Sequence, residues 1–105
     1  MKFNKLVRDN IPSIIEKNGE KPIVRILDGE EYKDELIKKL LEEVAELATS
    51  EGEQELLEEL ADVREVINAM YTAFEIDKEK VDEIMTKKNK EKGSFEKKVF
   101  LESVS

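Results

Sequence analysis

Two pairs of acidic residues stand at helical spacing in the middle of the chain. Glu43 and Glu46 lie in the stretch EEVAE, and Glu59 and Asp62 lie in the stretch EELAD. Residues three apart on a helix project from one face about one turn apart, so each pair can share a ligand. Both stretches are surrounded by apolar residues, where a carboxylate is costly unless a cation compensates its charge. The pattern therefore predicts a cation site.

The composition restricts the chemistry that such a site can perform. The 105 residues include no histidine and no cysteine. Imidazole bases, thiolate nucleophiles, thiolate zinc sites and disulfides are therefore excluded. Oxygen ligands alone favour a hard cation, and we expect Mg²⁺, with Mn²⁺ as the alternative. A carboxylate-bridged di-iron centre is disfavoured because those centres use Glu-x-x-His motifs.

Two long helices are predicted to carry these pairs. Apolar residues recur at helical spacing from residue 30 to about 49 and again from about 54 to 74, on either side of the turn TSEGEQE. Such a short connection predicts an antiparallel hairpin, in which the two acidic pairs meet. By helical projection, Glu59 falls within the apolar stripe of its helix and Asp62 at its edge. Glu43 falls at the border of the other stripe and Glu46 just outside it.

The remaining segments predict smaller elements. A short helix is expected to begin at Asn10 to Pro12 and to end at Gly19. A further helix is expected between Asp77 as its cap and Gly93 at its end, with Val81, Ile84 and Met85 facing inward. Short extended segments are expected near 23–27, where KPIVRILD has the composition of a short strand, and near 97–101. The chain is predicted to be all-α and to form a single domain, 1–105.

The apolar arc of the second long helix is wide enough to face its hairpin partner and a further surface. We therefore expect the hairpin core to be completed into a four-helix-type bundle by oligomerisation, as a homodimer or homotetramer. The formal net charge of −8 argues against nucleic acid as a partner. The amino terminus lacks the apolar run of a signal peptide, and no segment approaches the roughly 20 apolar residues of a membrane span. These features predict a cytoplasmic protein without a membrane partner.

The order Glu-x-x-Glu, twelve residues, Glu-x-x-Asp resembles the metal signature of the all-α nucleoside triphosphate pyrophosphohydrolases, the MazG-like superfamily. Further stretches resemble its phosphoribosyl-ATP pyrophosphohydrolase-like branch. These are KLVRDNIPSII, EEYKDELIKKLLEEVAEL, EELADVREVINA and KNKEKGSF. The resemblance extends over nearly the whole chain.

The resemblance implies Mg²⁺-dependent cleavage between the α and β phosphates of a nucleoside triphosphate, which yields a monophosphate and pyrophosphate. Its metal and catalytic residues would be Glu43, Glu46, Glu59 and Asp62, and the role of Glu42 stays open. The anionic substrate would require cations from this chain as well, for which the candidates are Lys5, Arg8, Lys88 and Lys92. The alternatives are that Arg8 pairs with an acidic residue and that the stretch KKNKEK is a solvated helix end. The branch usually has an arginine where this chain has Lys92, which weakens the expectation of a planar phosphate fork there.

Three functions follow from these patterns. The leading one is a house-cleaning enzyme that hydrolyses noncanonical or surplus nucleoside triphosphates. Hydrolysis of phosphoribosyl-ATP would use the same site on a different substrate. The third is a non-catalytic acidic helical module that binds a partner protein through its apolar stripe.

Overall fold

A computed structural model describes residues 3–105 and contains four helices. The helices are α1 (Ile11–Lys17), α2 (Gly29–Ala48), α3 (Gly52–Ala73) and α4 (Lys78–Lys92). Residues 3–105 include no strand, which confirms the predicted all-α class. The described chain forms two compact units, 3–75 and 76–105. No helix in the described part of the chain is both long and apolar enough to pass through a membrane.

The helices begin and end where the capping residues predict. Asn10 precedes α1, which carries Pro12 in its first turn, and Gly19 follows it in the left-handed region with φ of 87°. Asp28 caps α2, because its Oδ1 accepts a hydrogen bond from the backbone N–H of Glu31 at 2.9 Å. The start of α2 is therefore fixed by one carboxylate immediately outside the helix.

Helices α2 and α3 form the hairpin that carries the acidic pairs. Only three residues, Thr49 to Glu51, join them, and Gly52 opens α3 with a φ of 80° that favours glycine. The Glu55 side chain accepts a hydrogen bond from the Glu51 N–H at 2.8 Å and so satisfies one backbone group at this end. The two helices pack against each other, and the buried apolar residues between them are Leu36 and Val66.

The segment between α1 and α2, for which the sequence allowed a short strand, does not form one. Residues 20–28 are irregular, and Ile23 is 100% exposed. A strand needs a neighbouring strand for its backbone hydrogen bonds, and residues 3–105 provide none. The segment is instead joined to α2 by an ion pair in which the Arg25 guanidinium donates to both carboxylate oxygens of Glu31.

The second unit contains α4 and the carboxyl-terminal tail. The Asp77 Oδ1 accepts a hydrogen bond from the Glu79 N–H at 2.9 Å, and Gly93 ends the helix with a φ of 83°, as predicted. Ile84 and Met85 are exposed, so the prediction that they face inward is wrong for the described chain. α4 is strongly polar, and the apolar residues it carries are too few to bury a continuous stripe. The segment 97–101 forms no strand.

Candidate metal site

Three of the four predicted ligands meet across the hairpin. Glu43 and Glu46 project from α2 and Glu59 from α3. One carboxylate oxygen from each lies within 4.8 Å of the others. The three-residue spacing on α2 places two carboxylates on one face, and the antiparallel packing of α3 brings the third against them. The term glutamate cluster is used below for these three residues.

The three residues of the glutamate cluster differ in their exposure to solvent. Glu43 is only 6% exposed, Glu59 is half-buried and Glu46 is exposed. The Oε2 atoms of Glu43 and Glu59 are buried and have no hydrogen-bond partner among the described residues. A buried carboxylate oxygen without a partner is costly, and a cation bound between these oxygens would remove that cost. The donor set is entirely oxygen, so it fits Mg²⁺ or Mn²⁺.

Two carboxyl groups of the glutamate cluster, those of Glu59 and Glu43, have raised pKa values. Loss of hydration raises the pKa of Glu59 to about 7, and the charges of Glu46 and Glu43 contribute in the same direction. Loss of hydration also raises the pKa of Glu43, against the opposing effect of the Lys39 ammonium group. A proton or a cation is therefore favoured in the cluster at neutral pH.

Asp62, the fourth predicted ligand, is not part of the glutamate cluster. Its Oδ1 accepts a hydrogen bond from Arg8 Nη2 at 2.7 Å. Arg8 was predicted from the sequence to bind phosphate, and in the structure it binds a predicted metal ligand instead. The two residues are 54 positions apart, so the amino-terminal segment before α1 reaches the acidic face of α3.

Glu42, the acid that precedes Glu43 in the sequence, has two lysine partners, Lys5 and Lys39. Lys5 Nζ lies 3.4 Å from Oε1 of Glu42, and Lys39 Nζ lies 3.6 Å from the same oxygen. Lys39 also lies 3.2 Å from Oε1 of Glu43. The sequence analysis did not single out Lys39. The available signal was its spacing, because a lysine three and four residues before two adjacent glutamates can contact both on one helix.

Lys88 and Lys92, the other predicted substrate-binding lysines, lie on α4 in the second unit. Both are exposed, and Lys92 is the last residue of the helix. A basic residue in the last turn of a helix is stabilised by the helix dipole, which accounts for Lys92 without a ligand. Their part in substrate binding stays a prediction.

Comparison with known proteins adds one partial relative. A protein of Mycolicibacterium smegmatis, described as uncharacterized, is 45% identical over 53 residues, which cover 50% of this chain and 54% of that protein. The chain thus spans about half the length of the curated relative that it matches. No family model and no solved structure matches the chain. The relative's name carries no activity, so the function must be argued from the site.

Proposed function

We propose that the chain is a Mg²⁺-dependent nucleotide pyrophosphohydrolase that cleaves the α–β phosphoanhydride of a nucleoside triphosphate, releasing a monophosphate and pyrophosphate. The observation that carries the proposal is the pair of buried, unpartnered oxygens in Glu43 and Glu59 within a cluster of three carboxylates. The sequence resemblance to the MazG-like superfamily supports the same reaction. Single-domain organisation over 1–105 and a role in removing surplus nucleotides belong to this proposal.

The chain's own residues divide the work of binding and proton transfer. Glu43, Glu46 and Glu59 would hold the ion, and Asp62 would join them once Arg8 releases it. Mg²⁺, when bound, would neutralise charge on the phosphates and orient a water molecule for attack at phosphorus. One glutamate of the set would accept the proton of that water. Arg8 and Lys5 are the candidates in the unit that carries the cluster for binding the remaining phosphate oxygens, whereas Lys88 and Lys92 are candidates from the sequence resemblance alone.

The site would be completed by a second copy of the chain. The hairpin leaves large apolar side chains exposed on both helices, and a pair of hairpins would cover them in a four-helix bundle. On α2 these side chains are Ile37, Leu41 and Val44, and on α3 they are Leu56, Leu57 and Leu60. Leu60 follows Glu59 on α3, so the proposed contact between subunits would involve a helix that also carries the glutamate cluster. We therefore propose a homodimer or homotetramer.

The test is a panel of nucleoside triphosphates together with phosphoribosyl-ATP, assayed with Mg²⁺ for release of pyrophosphate and of orthophosphate. We expect pyrophosphate from at least one triphosphate, and its loss in the Glu43→Gln variant. Glu65→Gln is the matched control, because Glu65 is an exposed acid on α3 outside the cluster. Orthophosphate as the sole product, or equal rates for Glu43→Gln and the wild type, would exclude the proposed reaction. Turnover of phosphoribosyl-ATP alone would establish the alternative substrate.

The exposed apolar side chains of the hairpin also favour a second candidate, a non-catalytic module that binds a partner protein through this surface. The two candidates differ in the role of the carboxylates. In the module, neutralising the cluster would leave partner binding intact, and the purified protein would show no Mg²⁺ affinity. Divalent-ion binding by the wild type, measured by calorimetry, therefore separates an enzyme from a module before any substrate is known.

A further inference from the structure

Lys39 contacts Glu43, the most buried member of the glutamate cluster. Its side chain is only 17% exposed, and its Nζ lies 3.2 Å from Oε1 of Glu43. The other oxygen of that carboxylate, Oε2, is buried and has no partner among the described residues. The two oxygens thus have separate environments, one next to an ammonium group and one available to a ligand.

We propose that Lys39 is a positioning residue that orients the Glu43 carboxylate, so that Oε1 is held by the ammonium group and Oε2 is presented to a divalent cation. The inference rests on the proposed metal site and adds to it a residue that the sequence analysis had not selected. Groups that hydrogen-bond to a metal ligand fix its rotamer and support its affinity for the ion. Glu42 supplies a second contact to Lys39, because its Oε1 lies 3.6 Å from the same ammonium group.

Removal of the Lys39 ammonium group should change the cation affinity in opposite directions, depending on whether Lys39 positions Glu43 or acts only through its charge. Lys39 carries the same sign of charge as the ion, so loss of the charge alone would tighten cation binding. Loss of the orienting contact would weaken it, because Glu43 could then rotate its carboxylate away from the cluster. The sign of the change in affinity therefore identifies the role of Lys39.

The experiment measures Mn²⁺ binding by electron paramagnetic resonance of the free ion, on the full chain without substrate. We expect about tenfold weaker binding for Lys39→Met and recovery of most of the affinity in Lys39→Arg, which retains a cationic donor. Lys38→Met is the matched control, because Lys38 is the neighbouring lysine, is 71% exposed and pairs with Glu35 at 3.2 Å. Circular dichroism establishes that each variant retains its helices.

Binding by Lys39→Met that is as tight as, or tighter than, the wild type would overturn the positioning role and leave the metal site intact. Absence of Mn²⁺ binding in the wild type would overturn the proposed function together with this inference. Weakening in Lys39→Met with recovery in Lys39→Arg, and no change in Lys38→Met, would support it. The comparison with the wild type thus separates failure of the inference from failure of the proposed function.

Discussion

Replacement of Glu59 by glutamine removes one charge from the glutamate cluster with little change in shape. Loss of hydration and the nearby charges of Glu46 and Glu43 raise the pKa of Glu59 to about 7. A glutamine at this position stays neutral at every pH, and its amide can donate to the neighbouring carboxylates. The variant should therefore relieve repulsion in the metal-free protein and remove one ligand from the ion.

The effect on stability has a defined pH range. An acid whose pKa is higher in the folded state binds more protons when folded, so the free energy of unfolding falls as pH rises between the two pKa values. For Glu59 the range extends from about 4.3, the ordinary value for glutamate, to about 7. Its contribution is present in full below this range and is lost above it. Without metal, the melting temperature of the wild type should fall across this range relative to that of Glu59→Gln.

Metal binding should show the opposite pH dependence, because the ion requires the ionised carboxylate. With a pKa of about 7, the ionised fraction of Glu59 falls roughly tenfold between pH 8 and pH 6. The apparent Mg²⁺ affinity of the wild type should fall by about the same factor over that interval. Glu59→Gln should bind Mg²⁺ weakly at both pH values and lose this part of the dependence.

Two measurements test this reasoning. Calorimetric titration with Mg²⁺ at pH 6, 7 and 8 gives the affinities, and thermal unfolding with and without Mg²⁺ gives the stabilities. A ligand at about one hundred times its dissociation constant stabilises the folded state by about 2.7 kcal/mol, which is readily detected. The exposed Glu65→Gln variant should behave as the wild type. The account would be refuted if Glu59→Gln bound Mg²⁺ as tightly as the wild type. It would also be refuted if, without metal at pH 8, the melting temperature of Glu59→Gln were lower than that of the wild type.

Three further substitutions, one of them with a matched control, test other parts of the structure. Arg8→Gln should raise the KM for a triphosphate by about tenfold, which corresponds to the loss of one charge-assisted contact. Its Mn²⁺ affinity should not fall, because Asp62 is released. Reduced Mn²⁺ binding would contradict this role of Arg8. Gly52→Ala should lower the free energy of unfolding by about 1 kcal/mol in urea titrations, because the φ of 80° at this residue is left-handed. Gly29→Ala should leave the free energy of unfolding unchanged, because Gly29 lies at a helix start with free space around it. Leu36→Ala should cost about 2–5 kcal/mol in the same assay, because Leu36 is only 2% exposed, and a loss below 1 kcal/mol would show that the hairpin core lies elsewhere.

The helices could be predicted from local sequence because their ends are set by local chemistry. Asp28 and Asp77 cap helices with side-chain hydrogen bonds to residues two or three positions ahead. Gly93 ends α4 with a positive φ that favours glycine. Each signal operates within one turn, so a single sequence contains it in full. The extended segment expected near 23–27 does not pair as a strand in residues 3–105, because strand formation depends on a distant partner that no local pattern reveals.

Three of the four acidic residues singled out from the sequence form the glutamate cluster, but their order of burial was not predicted. Helical projection places Glu43 at the border of an apolar stripe, yet it is the most buried of the three glutamates. Projection treats each helix alone, whereas burial depends on which face the neighbouring helix covers. The pairing of Arg8 with Asp62 was unreadable for the same reason, because the two residues are 54 positions apart. Long-range contacts of this kind are fixed by packing and not by spacing.

The charges around the cluster explain why an acidic chain would need a metal ion to hold a polyphosphate. Among the described residues, the three glutamates of the cluster and the two further acids Glu42 and Asp62 carry five carboxylates, and the side chains of Lys5, Arg8 and Lys39 pair with Glu42, Glu43 and Asp62. When all five acids are ionised, the negative charges exceed these three cations by two, and the buried Oε2 atoms of Glu43 and Glu59 have no hydrogen-bond partner among the described residues. A triphosphate approaching this face would be repelled. One divalent cation would balance the excess, and a substrate phosphate could then draw Arg8 from Asp62, which would convert a structural ion pair into a substrate contact.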